Sequence, residues 1–318
     1  MSDNQTITTR DNSFDVCKAL LIFLVILGHF FQGSMKAAEV PNQIIDWGEY
    51  FIYSFHMPAF MFISGWFCYG KQYSFIPYMK NTLLYLCVPL VIWDVVINTI
   101  DYFTGSFNGL NSLLTSLWYV KSIILIRVLA YPFIKKPSVL YGSCLFLLGL
   151  LLGQYYLLAL LIPAFMLGFL SKKYDLLKNK YVLTACAIAF IIELIIVHPS
   201  EAISDLALIR HLDLSYWLNY LNRLILGLSG TVIFIASMRQ LFKSVDNAII
   251  LGVGKATLGI YIIQALIVER LLLPFVSSYN NILLYLGLTI ISIAICYAIV
   301  LIIKKLNWGG ILLGDRKL

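Results

Sequence analysis

The sequence predicts an all-α fold, a polytopic membrane bundle of about ten transmembrane helices with both termini cytoplasmic, and three observations predict it. Of 318 residues, 60% are hydrophobic and 12% are charged, half the charged fraction with which a soluble domain covers its surface. The apolar runs are long and continuous rather than alternating, and a bilayer offers no water to backbone groups, so such runs read as helices. Basic residues gather at the ends of those runs and mostly on one side, as the positive-inside rule requires.

The runs place spans at 14–34, 48–70, 80–101, 113–134, 138–153, 156–171, 180–198, 216–238, 249–270 and 281–303. The fifth and sixth are separated only by Gly153 and Gln154, followed by two tyrosines. With the N-terminus inside, the inner loops and tails hold sixteen Lys and Arg residues, while the outer loops hold three, Lys36, Arg210 and Arg270. Fusing the fifth and sixth spans would move Lys172 to Lys180 outside and invert everything downstream, so the charge count supports the break. Residues 1–318 read as one membrane domain, with cytoplasmic tails at 1–13 and 304–318 and no internal repeat. The first apolar run is short enough to raise a cleaved signal peptide, but its His29 and the many later spans argue against one.

The net charge of +7 is accounted for by the inner loops and does not point to nucleic acid. The six cysteines fall in or beside apolar runs without metal-ligand spacing, and read as small core residues. Gly252-Val-Gly254-Lys255 is too short for a phosphate-binding loop and reads as helix-entry geometry.

Ionisable groups inside spans are costly, so each asks for a reason. In the first span Asp15 and His29 lie about 21 Å apart along a helix and within roughly 40° of one face, which also carries Lys18. A polar stripe therefore runs from the cytoplasmic end past the midplane. In the second span His56 precedes Pro58, and Ser64-Gly65 permits close approach of a helix or a ligand. His29 and His56 fall at matching depth on adjacent spans, and imidazole acts as a base near neutral pH. Asp94 and Asn98, Trp118 and Lys121, Arg127, Glu193, the cluster of Asn219, Asn222 and Arg223, and Gln264 with Glu269 complete the polar set. Internal salt bridges are the ordinary reading of each; so many in one bundle imply a wet central cavity.

The N-terminal block, Arg10-Asp-Asn-Ser-Phe-Asp15-Val-Cys-Lys18 with Val25-Ile-Leu-Gly28-His29, resembles the membrane acyltransferase-3 family. Phe55-His56-Met57-Pro58 through Ser64-Gly65-Trp66 is similar to its fucose 4-O-acetylase-like branch, with later echoes at Leu117-Trp118-Tyr119 and Leu251 to Tyr261. The resemblance implies a multi-pass protein of the bacterial inner membrane that passes acetyl from cytoplasmic acetyl-CoA, a co-substrate rather than a resident cofactor, to a hydroxyl of an envelope or exopolysaccharide sugar or glycolipid. It implies catalytic roles for His29, His56 and Asp15. Asp15 lies too far to orient His29 directly and is placed to anchor Arg10 or Lys18. The acyl-CoA set is expected from Arg10, Lys18, Lys80, Trp118 and Lys121, with packing the preferred reading for Trp118. The substrate pocket is expected from Ser64, Gly65, Asp94, Asn222 and Arg223, and no metal is expected. Two departures stand out: the family's Arg-x-x-Arg pair before the third span is reduced to Lys80, and Gln264 stands near the family's ninth-span histidine. The alternatives are a saccharide transporter or exporter, which the weakened CoA motif favours and the lack of an inverted repeat disfavours, and a scaffold subunit of a polymer-assembly complex.

Overall fold

The computed structural model describes residues 11–37, 42–71, 73–152, 157–196 and 214–315, apart from the side chains of Ser215 and Tyr216. Arg10 and the outer loop with Glu201, Asp205, Arg210, His211 and Asp213 lie outside the described residues. Every regular element among the described residues is helical.

Helices α1 (Ser13–Ala37) and α2 (Gln43–Cys68) form the centre of the bundle. In each, 72% of the apolar stretch is buried, against 17% in the rod Phe75–Phe103 and 22% in the rod Ile282–Lys304, so the latter two face lipid. Two side chains start the central pair. The Asp11 carboxylate accepts the backbone N–H of Ser13 at 3.0 Å, and Asn42 accepts that of Ile44 at 2.9 Å, satisfying donors that a helix start leaves open. Burial works against the Asp11 charge, yet hydrogen bonds from Ser13 and Arg239 hold its carboxyl below the usual range. Arg239, 2.7 Å from Asp11, also lies over the rings of Phe14 and Trp66, tying the entry of α1 to α2. Pro58 sits inside α2 without ending it.

The remaining helices follow in chain order. α3 (Phe75–Thr82) passes through a π-helical segment, Leu83–Cys87, into α4 (Val88–Phe103) as one 29-residue rod. α5 (Gly109–Thr115) meets α6 (Trp118–Leu129) at a 65° bend, where Leu117 takes a left-handed conformation with φ 45°. Next come α7 (Tyr131–Lys135), α8 (Val139–Leu151), α9 (Leu158–Lys173), α10 (Lys180–Ile196) and α11 (Leu214–Leu241). α12 (Ala248–Lys255) leads to α13 (Thr257–Leu266), a second π-helical segment (Ile267–Leu272) and α14 (Leu273–Val276). α15 (Ile282–Lys304) and α16 (Gly309–Leu312) close the chain.

Six of these helical rods are long and apolar enough to cross a membrane, seven if the bent α5–α6 pair is one span. α8, α9 and α10, at 13, 16 and 17 described residues, fall short of the roughly 20 that span a bilayer. For those three, the expectation of about ten spans rests on the sequence pattern alone.

Close helix crossings set the centre. A Cβ on Gly65 would collide with the carbonyl oxygen of Phe165 on α9, and one on Gly168 of α9 would collide with that of Phe62. This reciprocal pair lets two backbones touch, as small residues do between membrane helices. Gly65, expected in the substrate pocket, is thus a packing residue. Gly254 serves α12 in the same way against the carbonyl of Asp15, which replaces the helix-entry reading of that stretch.

Candidate active site

Two recesses meet along α1. A cavity of 790 Å³ opens at the end of the bundle where α1 starts and α15 ends, the basic face. Its wall carries five cations, Lys18, Lys71, Arg127, Lys255 and Lys304, against two carboxylates, Asp15 and Asp315. Both carboxylates are engaged: Asp15 lies 2.6 Å from Lys18, and Asp315 pairs with Lys304. Arg127 donates to Thr82 Oγ1 at 3.0 Å and lies 4.5 Å above the Tyr78 ring, which fixes its guanidinium. Lys71 and Lys255 are exposed and form no ion pair with a described residue. The wall therefore holds an excess of positive charge, which suits a polyanion.

A second recess of 250 Å³ shares Lys18, Ser64, Phe67 and Ile123 with the first. Beyond them its wall turns apolar, with Ile22, Val25, Met57 and Phe60, and it reaches Tyr119 and Tyr261. Lys18, Ile22 and Val25 are successive residues on one face of α1, and His29 is the next residue of that stripe. The recess is thus an apolar bore along this face of α1, from Lys18 as far as Val25, one turn before His29, which is not among its lining residues.

His29 Nε2 stands 3.5 Å from Glu269 Oε1, with both side chains partly accessible. Glu269 belongs to the π-helical segment after α13. Gln264 donates to the same Glu269 oxygen at 3.0 Å. On a regular α-helix two residues five apart point about 140° away from each other, so Gln264 and Glu269 would not meet. A π turn closes on the fifth residue and brings them onto one face. The next residue, Arg270, grips Asp101 at the end of α4 through two 2.7 Å bonds, from Nε and Nη2, and its Nη1 lies 3.6 Å from Glu269 Oε2.

His56 is buried, and its Nδ1 lies 2.6 Å from the carbonyl oxygen of Ile52. A carbonyl only accepts, so Nδ1 carries the proton and Nε2 keeps a free lone pair. The Tyr53 ring meets the imidazole edge-on at 4.9 Å. His29 and His56 stand on α1 and α2, which pack against each other.

The other expected site residues divide clearly. Lys18 and Ser64 line both recesses, and Asp15 lines the basic cavity. Asp15 does not orient His29; Glu269 stands where an orienting carboxylate belongs. Lys80 is exposed and lines neither recess, and Trp118 packs against the core edge-on to Tyr119. Asn222 and Arg223 of α11 also line neither recess. Lys121 is held 2.9 Å from Asp94 and 2.7 Å from the carbonyl of Leu113, and Ser116 donates to Asp94 at 2.8 Å. This latch fastens the α5–α6 bend to α4, so Asp94 and Lys121 are structural here. Asp94→Ala, which strands a partly buried ammonium, is expected to cost about 3 kcal/mol, read as a lower unfolding midpoint in detergent.

Sequence reading missed Glu269 as His29's partner, and missed Lys71, Arg127, Lys255 and Lys304 as cavity cations. Glu269 was visible as an intramembrane acid, but only the π turn gives it a direction. The four cations come from four separate elements, and no spacing rule joins them.

Fold and site together define a membrane-embedded helical bundle with a basic vestibule, an apolar bore and a histidine–carboxylate pair above it. The chain belongs to the Acyl_transf_3 acyltransferase domain family, which it matches over residues 11–301. It is 32% identical over 181 residues to the nodulation protein NolL of Sinorhizobium fredii, an alignment covering 51% of this chain and 48% of that protein. It is 37% identical over 95 residues to the nodulation protein NolL of Mesorhizobium japonicum, covering 29% of this chain and 25% of that one. The aligned stretch spans at most about half the length of these curated relatives. No solved structure matches the chain.

Proposed function

We propose that this protein is a membrane O-acyltransferase, which moves acetyl from cytoplasmic acetyl-CoA to a hydroxyl of a cell-envelope or exopolysaccharide sugar or glycolipid. The observation that carries this reading is the continuity of the two recesses. A charged cavity in the size range of small-molecule sites narrows to an apolar bore that ends one turn before His29. Coenzyme A has that form: a phosphorylated nucleotide joined by a slender arm to a thioester.

In this reading the five-cation wall takes the phosphates, as fixed cations do. The arm threads past Lys18 and Ser64, and the thioester carbonyl comes to rest below His29. The acceptor hydroxyl arrives from the opposite side. Glu269 holds Nε2 of His29, which leaves Nδ1 to take the hydroxyl proton. The oxygen attacks the thioester carbonyl, the tetrahedral intermediate collapses, and the C–S bond breaks. The proton on His29 passes to the leaving thiolate, so the products are the ester and free CoA thiol. His56, with its free Nε2 beside Tyr53, is placed to hold the acceptor rather than to take its proton. A saccharide exporter would need a polar passage wide enough for a sugar; the bore is narrow and apolar, which favours transfer over export.

Purified protein is expected to transfer labelled acetyl from acetyl-CoA to an envelope glycan, and mass spectrometry of the polysaccharide with and without the protein should show one acetyl mass lost on a sugar. An unchanged glycan and no acetyl-CoA turnover would end the proposal. Lys71→Ala and Lys255→Ala are each expected to raise KM for acetyl-CoA about tenfold with kcat nearly unchanged, because a charge-assisted bond to phosphate is made equally in ground and transition states. Steady-state kinetics at several acetyl-CoA concentrations would check this.

A further inference from the structure

Arg270 is heavily committed to the protein. Its Nε and Nη2 grip both oxygens of Asp101 at 2.7 Å, its Nη1 donates to the carbonyl of Ala265 at 2.7 Å, and the same Nη1 lies 3.6 Å from Glu269 Oε2. Little of the guanidinium is left for a ligand. Asp101 is itself fixed: it is 6% exposed, and its backbone carbonyl accepts from Ser106 and Phe107 at the turn that ends α4. Glu269 is held from two sides, with Gln264 on Oε1 and Arg270 on Oε2, and it presents Oε1 to His29. These contacts form one chain of charges, Asp101–Arg270–Glu269–His29, across three separate rods of the bundle.

We infer that Asp101 and Arg270 are positioning residues for acyl transfer: by fixing Arg270, Asp101 sets the orientation of the Glu269 carboxylate and, through it, of the His29 imidazole. This deepens the proposed function and rests on His29 being its base. The physical ground is that a Glu side chain has three rotatable bonds and cannot by itself hold a carboxylate in one direction. The bidentate fork of Arg270 is planar and rigid, and it transmits the fixed position of α4 to the π turn. Neither residue touches either recess, so neither should affect acyl-CoA binding.

The test is a kinetic cycle on the full chain in detergent or liposomes, with acetyl-CoA and the acceptor glycan. Asp101→Asn removes the charge that fixes Arg270; it is expected to lower kcat on the order of 10²-fold, as small misplacements of a catalytic group do, while KM for acetyl-CoA stays as in the parent. Asp101→Glu should restore much of the rate. The double variant Asp101→Asn/Glu269→Gln should be no slower than Glu269→Gln alone, because both act on one path. Multiplying losses in the double variant, or full kcat in Asp101→Asn, would overturn the inference. Should Asp101→Asn fail to fold, Arg270→Lys keeps the charge, loses the fork and carries the same expectations. Full activity of Glu269→Gln would instead remove the His29–Glu269 pair itself, and so separates failure of the proposed function from failure of the relay.

Discussion

Replacing His29 with Ala is expected to abolish acyl transfer while leaving insertion and folding intact. General-base catalysis contributes about 10²- to 10⁴-fold, so the rate of transfer should fall by about that factor. The structure supports a clean readout. His29 is partly accessible, and its one described polar partner, Glu269, keeps Gln264 and Arg270 as neighbours once the imidazole is gone. No buried charge is stranded, so the expected stability change is small. Transfer measured beside a thermal unfolding curve in detergent would separate the two effects. Wild-type transfer in a folded His29→Ala protein would reassign the chemistry.

The second large effect concerns the scaffold. Gly65→Ala is expected to unfold the protein or to lower its midpoint severely. The added methyl collides with the backbone of α9 at Phe165, and backbone cannot rotate aside as a side chain can. Overpacking costs about 1–3 kcal/mol where neighbours can yield, and here the two helices must part along their whole crossing. Gly168→Ala should behave alike, since Phe62 faces it in the mirror arrangement. Gly287→Ala is the control. A Cβ there meets nothing within 4 Å, and Ala is the better helix former, so this variant should be neutral or slightly stabilised. Equal losses at Gly65 and Gly287 would show that the collision is relieved and the crossing is not tight.

The sequence carried the membrane class and the helical fold, for reasons that periodicity makes plain. Lys18, Ile22, Val25 and His29 share one face by simple 3.6-residue arithmetic, and the bore runs along that face. His29 and His56 were placed at one depth by counting residues from either end of two adjacent spans. Three features were out of reach. The pairing of Gln264 with Glu269 depends on a π turn, and no propensity rule marks one. The cation wall is assembled from α1, the α2–α3 connection, α6, α12 and α15, whose neighbours are fixed only by packing. Lys121 and Asp94 were both recognised as intramembrane charges; that they satisfy each other, instead of a ligand, depends on the 65° bend at Leu117. Where a helix departs from ideal geometry, residue spacing stops indicating direction, and two of the three gaps lie at such departures.

The bore bears on how the acyl group crosses the bundle. Its wall includes Tyr119 and Tyr261, two almost fully buried rings set edge-to-face with centroids 6.0 Å apart. A ligand that enters the recess from the basic cavity meets these two rings among its walls. Ions and protons crossing a low-dielectric barrier without a hydrated route face a steep cost. In the proposed reaction only the acyl group has to leave this recess, so transfer across the bundle calls for no continuous aqueous channel through it.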